Sequence, residues 1–231
     1  WLTAMEIDDA EEYYRQAEVI AADQNDIFMK GIIQSGLGLL ECQRGNVRSG
    51  IDHYRDSLSI CREMEDVEGE SELLFQTGEA LMLLSDFRKA AEALRDALSI
   101  QESIGSANRR GALRLNLAYS LLAAGPSENE LTEALAQLDP AISELETQHR
   151  RDEPDTMMAL ADTYRLLMER PESPPLMEDL PLKYRRAVTA AWESLISSAD
   201  GLESTVLRKA FLENIERHRE IAAAYAELNA E

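Results

Sequence analysis

The chain has 231 residues, with 23 basic against 44 acidic side chains and a formal charge of −21. That balance argues against non-specific nucleic-acid binding, which needs a basic footprint. A hydrophobic content of 45% argues against wholesale disorder. No uncharged apolar run reaches the roughly 18 residues that a membrane span needs. The start, Trp1 to Glu6, does not read as a signal peptide. Two cysteines, Cys42 and Cys61, are too few for a disulfide framework or a structural zinc site. Together these predict a cytoplasmic protein in a reducing compartment.

Long runs of Ala, Leu, Glu and Arg, sparse Gly and Pro, and no alternating β-branched stretches predict an all-α chain. Shifted by 40 residues, the sequence matches itself. Ala10, Gly50 and Ala90 coincide; so do Tyr14, Tyr54 and Leu94, then Ala17, Ser57 and Ala97, then Ile20, Ile60 and Ile100. The spacing keeps these positions on one face of a helix. Small residues (Gly38, Gly78, Ala118; Gly50, Ala90) would let two helix backbones approach, with the large ones beside them. A pair of antiparallel helices of this kind cannot bury its apolar face alone, so neighbouring pairs stack.

In chain order, Trp1–Ala10 reads as the end of one helix, a turn and the start of its partner. The chain would then begin mid-repeat, as a fragment of a longer protein. A fourth unit starts near Asn108, with Leu117, Ala118 and Leu121 in its first helix. Gly125-Pro126-Ser127 ends that helix, and Ser127 with Glu130 forms a capping box for the next. That helix spans about 129–147, with Ala134, Leu138 and Ala141 inward and Pro140 kinking it. A fifth, divergent unit has a helix near 154–170, a rigid loop over 171–175, and a helix from Pro181 to about Asp200. A last helix over about 203–230, carrying Leu207, Phe211, Ile215, Ile221 and Tyr225, reads as a cap on the final apolar face.

Two segments carry a resemblance. One is Gly36-Leu37-Gly38-Leu39-Leu40 followed by Tyr54-Arg55-Asp56-Ser57-Leu58-Ser59-Ile60. The other is Gly78-Glu79-Ala80-Leu81 followed by Ala90-Ala91-Glu92-Ala93-Leu94-Arg95-Asp96-Ala97-Leu98-Ser99-Ile100. Both resemble tetratricopeptide repeats, in the long 40-residue variety. The resemblance implies a right-handed superhelical solenoid of antiparallel helix pairs with a C-terminal capping helix. Its repeats would occupy 1–150, the first truncated, and a divergent pair plus the cap would occupy 151–231 of the same array.

No catalytic motif emerges. Gly36-Leu37-Gly38 lies within a helix and lacks the strand that precedes a phosphate loop. Glu146-x-x-His149 has the spacing of half a di-iron motif, but its partner ligands are missing. His53 reads as a packed or half-exposed structural residue. His218, within Glu216-Arg217-His218-Arg219-Glu220, reads as part of a solvated face. Cys42 and Cys61 read as small packed hydrophobes rather than nucleophiles. The acidic cluster Glu63, Glu65, Asp66, Glu68, Glu70 and Glu72 lacks the ligand spacing of a calcium loop and reads as a solvated turn. The expectation is therefore no enzyme, no metal and no cofactor.

In the resembled family, the first helix of each pair lines a concave groove that holds a peptide or helix. The register then assigns the groove to Ser35 and Leu39, to Phe75, Gln76, Glu79 and Met82, and to Leu115, Asn116, Tyr119 and Leu122. Asn116 and Gln76 stand where the family's amide-binding asparagine would be, while Gly36 breaks that ladder. The family's Lys/Arg clamp for a C-terminal carboxylate is absent. An apolar groove with Glu72 and Glu79 at one side would suit a partly basic amphipathic helix. The partner would be another protein or a segment of the same parent chain. The alternative is the sensor or autoinhibitory arm of a larger bacterial effector, a protease or a transcription regulator.

Overall fold

A short turn recurs along the first half of the chain and spaces its helices. Asn25, Gly45, Glu65, Ser85, Gly105 and Gly125 all have positive φ, between 52° and 86°. Each follows the end of a helix, in the left-handed conformation that reverses the chain. After the first five of these the next residue donates its N–H to a carbonyl five positions back: Asp26 to Ala21, Asn46 to Glu41, Asp66 to Cys61, Asp86 to Leu81 and Ser106 to Gln101, at 2.8–3.0 Å. Two of these residues then cap the following helix through their side chains. Asp26 accepts from the Met29 N–H and Asp66 from the Gly69 N–H, each at 2.9 Å.

The computed structural model describes residues 4–107, 109–147, 154–170, 179–201, 208, 209, 212 and 216–230. Among these residues all regular structure is helical. The helices are α1 (Ala4–Asp23), α2 (Ile27–Gln43), α3 (Val47–Glu63), α4 (Val67–Leu83), α5 (Phe87–Ser103), α6 (Arg110–Ala123), α7 (Glu128–Thr147), α8 (Pro154–Met168), α9 (Leu180–Asp200) and α10 (Glu216–Leu228). The chain divides into two compact units after Leu113, inside α6.

In the first unit α2 packs against α3 and α4 against α5, with α3 against α4 and α1 against α2. Tyr54 (2% exposed) is buried with Val47, Leu73 and Ala80, and Cys42, Ile51, Leu58 and Cys61 pack around them. The small residues work as their spacing implied. A Cβ built on Gly38 would lie 2.6 Å from the Tyr54 ring and 3.0 Å from the Gly50 carbonyl oxygen. One on Gly50 would lie 2.7 Å from the Gly38 carbonyl oxygen and would overlap the Cys42 sulfur. Gly78 meets Leu94 in the same manner, at 2.6 Å.

These distances reverse the usual sign of a helical Gly→Ala change. Alanine is the better helix former by about 1 kcal/mol, but overpacking a filled contact costs about 1–3 kcal/mol. At Gly50 the obstacle is backbone. Gly50→Ala should therefore lower stability by about 1–2 kcal/mol in urea denaturation. An unchanged or raised midpoint would show that α2 and α3 can separate freely.

In the second unit α8 packs against α9, and α10 packs against both. Ala134, Leu138 and Ala141 are buried as an inner row of α7, which continues through Pro140. The Ser127–Glu130 capping box forms, with the Ser127 N–H donating to Glu130 Oε2 at 2.7 Å and the Glu130 N–H to Ser127 Oγ at 3.4 Å. Trp192 and Tyr225 stack with centroids 5.1 Å apart. The expected loop 171–175, His149, Leu207, Phe211, Ile215 and the change of repeat character near 150 lie outside the described residues.

Two expectations are corrected. The turn expected within the first ten residues is absent from the described part, where α1 runs unbroken from Ala4 to Asp23. His218 is buried, at 4% exposed, rather than solvated. It shares a helical row with Ile221 and Ala224, both buried, and α10 packs that row inward. Its charged neighbours in sequence project elsewhere, and they had masked the period.

Candidate functional site

On α2, Phe28, Ile32, Ser35 and Leu39 fall on one helical row. Phe28, Ile32 and Leu39 are large apolar residues left 50%, 46% and 46% exposed. On α4 the facing row is Glu72, Gln76, Glu79 and Leu83, the last 67% exposed. Two open cavities lie between these rows, with α3 beneath them. One, of about 180 Å³, is lined by Phe28, Ile32 and Ser35, by Ile60 and Cys61 of α3, and by Glu72. The other, of about 350 Å³, is lined by Leu39, Cys42 and Gln43, by Tyr54 of α3, and by Gln76, Glu79, Ala80 and Leu83. Midway along the rows the Ser35 hydroxyl donates to Gln76 Oε1 at 3.4 Å, and Gln76 Nε2 donates to Glu72 Oε1 at 3.2 Å.

The site's electrostatics are mainly acidic. Glu72 pairs with Arg109, whose Nε lies 3.3 Å away. Arg109 has φ +55° just before α6, and its guanidinium sits 5.4 Å over the Phe75 ring. The Tyr54 hydroxyl is pushed well above its ordinary range, by burial first and then by Cys42, Glu79 and Glu72. Burial also pushes up the thiols of Cys42 and Cys61, with nearby carboxylates adding to the effect. Both sulfurs are half-buried and protonated at neutral pH, in keeping with the packed reading. His53 is half-buried and donates from Nδ1 to Gln34 Oε1 at 2.7 Å, a structural contact.

The residues assigned to the groove from the sequence divide into groups. Ser35, Leu39, Gln76 and Glu79 line the cavities. Met82 is half-buried on α4. Phe75, Leu115 and Leu122 are corrected: at 2%, 1% and 3% exposed they belong to the core and present no binding surface. Their row on each helix turns inward, a distinction that helical spacing one residue off the groove row does not make. Leu115, Asn116, Tyr119 and Leu122 lie in the second unit, where Asn116 and Tyr119 are half-buried. The Tyr119 hydroxyl is pushed up by burial and by Asp162, with Arg217 and Arg165 opposing. It therefore belongs to a charged cluster.

Phe28, Ile32, Gln43 and Leu83 line the site without having been singled out from the sequence. The signal for the first two was available: Phe28, Ile32, Ser35 and Leu39 follow the 4-3-4 spacing of one face. Nothing local marks that face as outward. Among the described residues no group of three or more His, Cys, Asp and Glu side chains is arranged to hold a metal. Nor is any described helix long and apolar enough to cross a membrane.

A model of the tetratricopeptide repeat family matches residues 30–103, which contain both cavities apart from Phe28. No curated protein matches the chain. A solved structure with a similar fold is the crystal structure of BtubC (BKLC) from P. vanneervenii. It is 16% identical, with a TM-score of 0.62 over 99% of this chain and 88% of that one. At that identity the likeness concerns the fold alone. Repeats of the matched family mediate protein–protein interaction and are typically non-enzymatic scaffolds. The described residues form an all-α fold, and residues 30–103 match the tetratricopeptide repeat family.

Proposed function

We propose that the face formed by α2 and α4 receives a segment of another protein, an amphipathic helix with some basic character. The observation that carries this reading is the exposed apolar row Phe28, Ile32 and Leu39, set opposite Leu83 and the polar row Glu72, Gln76 and Glu79. Water-exposed apolar side chains on one continuous strip mark an interaction surface. From Phe28 to Leu39 the strip runs 11 helical steps, about 17 Å at 1.5 Å per residue. That length suits a ligand helix of about three turns, held by its apolar face along α2 and by polar contacts along α4.

The test is a display selection of random 16-residue peptides on the full chain. Winning peptides are then measured against a variant carrying Ile32→Ser, Leu39→Ser and Leu83→Ser. All three side chains are exposed, so circular dichroism should be unchanged. The expected result is binding at roughly micromolar Kd and at least a tenfold loss on the variant, about 1.4 kcal/mol. Peptides that bind both proteins equally would place the interaction on another surface.

A further inference from the structure

We infer that the smaller cavity, beside the turn between α3 and α4, receives one phenyl-sized side chain of the docked segment, flanked by basic residues. This inference rests on the docking reading above and adds the chemistry of one contact. The cavity encloses about 180 Å³. That is below the roughly 300 Å³ at which small-molecule sites begin. It is close to the roughly 150 Å³ of an apolar cavity that holds benzene. A single aromatic side chain therefore matches it. The walls suit a ring as well. Phe28 is aromatic, Ile32, Ile60 and Leu73 are aliphatic, and Cys61 and Met64 bring sulfur, which packs well at ring edges. Phe28, Ile32 and Met64 are exposed, so an inserted ring would cover apolar surface that now meets water.

The polar groups of the lining are engaged within the protein. The Ser57 hydroxyl donates to the Gly31 carbonyl oxygen at 2.8 Å. Asp66 accepts from the Gly69 N–H, and the Ser35 hydroxyl donates to Gln76. Glu72 accepts from Gln76 and pairs with Arg109. With these partners in place the cavity selects by shape and apolar surface. The flanking charge comes from three other residues. Glu63, Glu65 and Glu68 adjoin the lining residues Met64, Asp66 and Gly69 in the chain, and all three are exposed. Among the described residues their side chains make no hydrogen bond or ion pair. Arg62, the basic residue of the same stretch, is paired with Glu70 at 2.8 Å. Lys or Arg on either side of an inserted ring would meet unneutralised carboxylates, and acidic flanks would be repelled. Exposed pairs of this kind are weak and screened by salt. The ring thus supplies most of the affinity, and the acids supply discrimination.

The experiment is an NMR titration of the full ¹⁵N-labelled chain with alanine-based peptides of about 16 residues, long enough to be partly helical. The probe carries one central phenylalanine with a lysine four positions to each side. One control replaces the phenylalanine by alanine, and another replaces both lysines by glutamine. The expected result is saturable shifts at Ile32, Cys61, Met64 and Leu73, at least tenfold weaker binding without the ring, and roughly threefold weaker binding without the lysines. The exposed pair Glu65→Gln and Glu68→Gln should reproduce the loss seen without the lysines, and about 0.5 M salt should abolish it. The same charge change on α5, Glu92→Gln with Asp96→Asn, should leave binding unchanged. Equal binding of the phenylalanine and alanine peptides would overturn the inference, as would ring-dependent shifts centred elsewhere. Equal effects of the two double variants would overturn the basic flank. If the Glu65, Glu68 variant proves misfolded, the three peptides on the unmodified chain decide alone. Selected peptides that need Ile32, Leu39 and Leu83, together with a probe whose ring makes no difference, would remove the anchor and leave the docking face. A ring-dependent response at this cavity, with selected peptides indifferent to the three-serine variant, would remove the docking face.

Discussion

Tyr54→Ala is expected to destabilise the first unit by about 3–5 kcal/mol, the range for truncating a buried aromatic. Tyr54 is 2% exposed, and its ring lies over Gly38, where the α2 and α3 backbones meet. Val47, Leu73 and Ala80 share its cluster, so the cavity left behind would touch α3 and α4 as well as α2. Gly38 has no side chain to fill that space. Tyr54→Phe keeps the ring and loses only the hydroxyl, so its cost should be about 0.5–1.5 kcal/mol. Urea denaturation gives the magnitudes, and hydrogen exchange gives the location. Repeat arrays can unfold by parts, so protection should fall first in α2, α3 and α4. A loss under about 1 kcal/mol for Tyr54→Ala would mean that the cluster does not hold the two pairs together.

Asp162→Ala should destabilise the second unit by about 3 kcal/mol. Asp162 is 7% exposed on α8. Arg217 Nη2 of α10 donates to its carboxylate at 2.9 Å, and Arg165 Nη2 donates at 3.3 Å. Arg217 is itself largely covered, its side chain 29% exposed, and among the described residues its remaining carboxylate partner once Asp162 is gone is Glu220, at 2.8 Å. Removing one partner of a buried pair leaves the other charge desolvated and uncompensated, which costs more than the pair contributes. Asp162→Asn retains an acceptor and should cost less, about 1–2 kcal/mol. A second readout is independent of stability. Asp162 helps hold the Tyr119 hydroxyl above its ordinary range, behind burial, so Tyr119 should ionise at lower pH in Asp162→Ala. An unmoved Tyr119 titration with unchanged stability would show the cluster to be solvated.

Much of the architecture was legible because it depends on near-neighbour contacts. Gly38, Gly50, Gly78, Tyr54 and Leu94 recur at matching register, and small-against-large packing across a helix pair is a short-range property. The Ser127–Glu130 capping box lies within one turn and was read directly. The recurrent left-handed turn was less visible. Asn25, Gly45, Glu65 and Ser85 share a conformation but no residue type, because the hydrogen bonds on either side impose it.

By itself, the sequence determined the helical class, the pairing of helices, and the repeats by which 30–103 matches the family model. Periodic apolar spacing and glycine contacts depend only on residues close in the chain or one repeat away. Only the tertiary structure decided which apolar residues stay in water. Phe75 and Leu39 are both large, apolar and helical, yet one is 2% exposed and the other 46%. The difference lies in what packs against each row. The same holds for His218, buried among charged sequence neighbours, and for the unpaired oxygen of Gln43. Burial is a sum over distant segments, and local periodicity supplies the direction of a side chain without its cover.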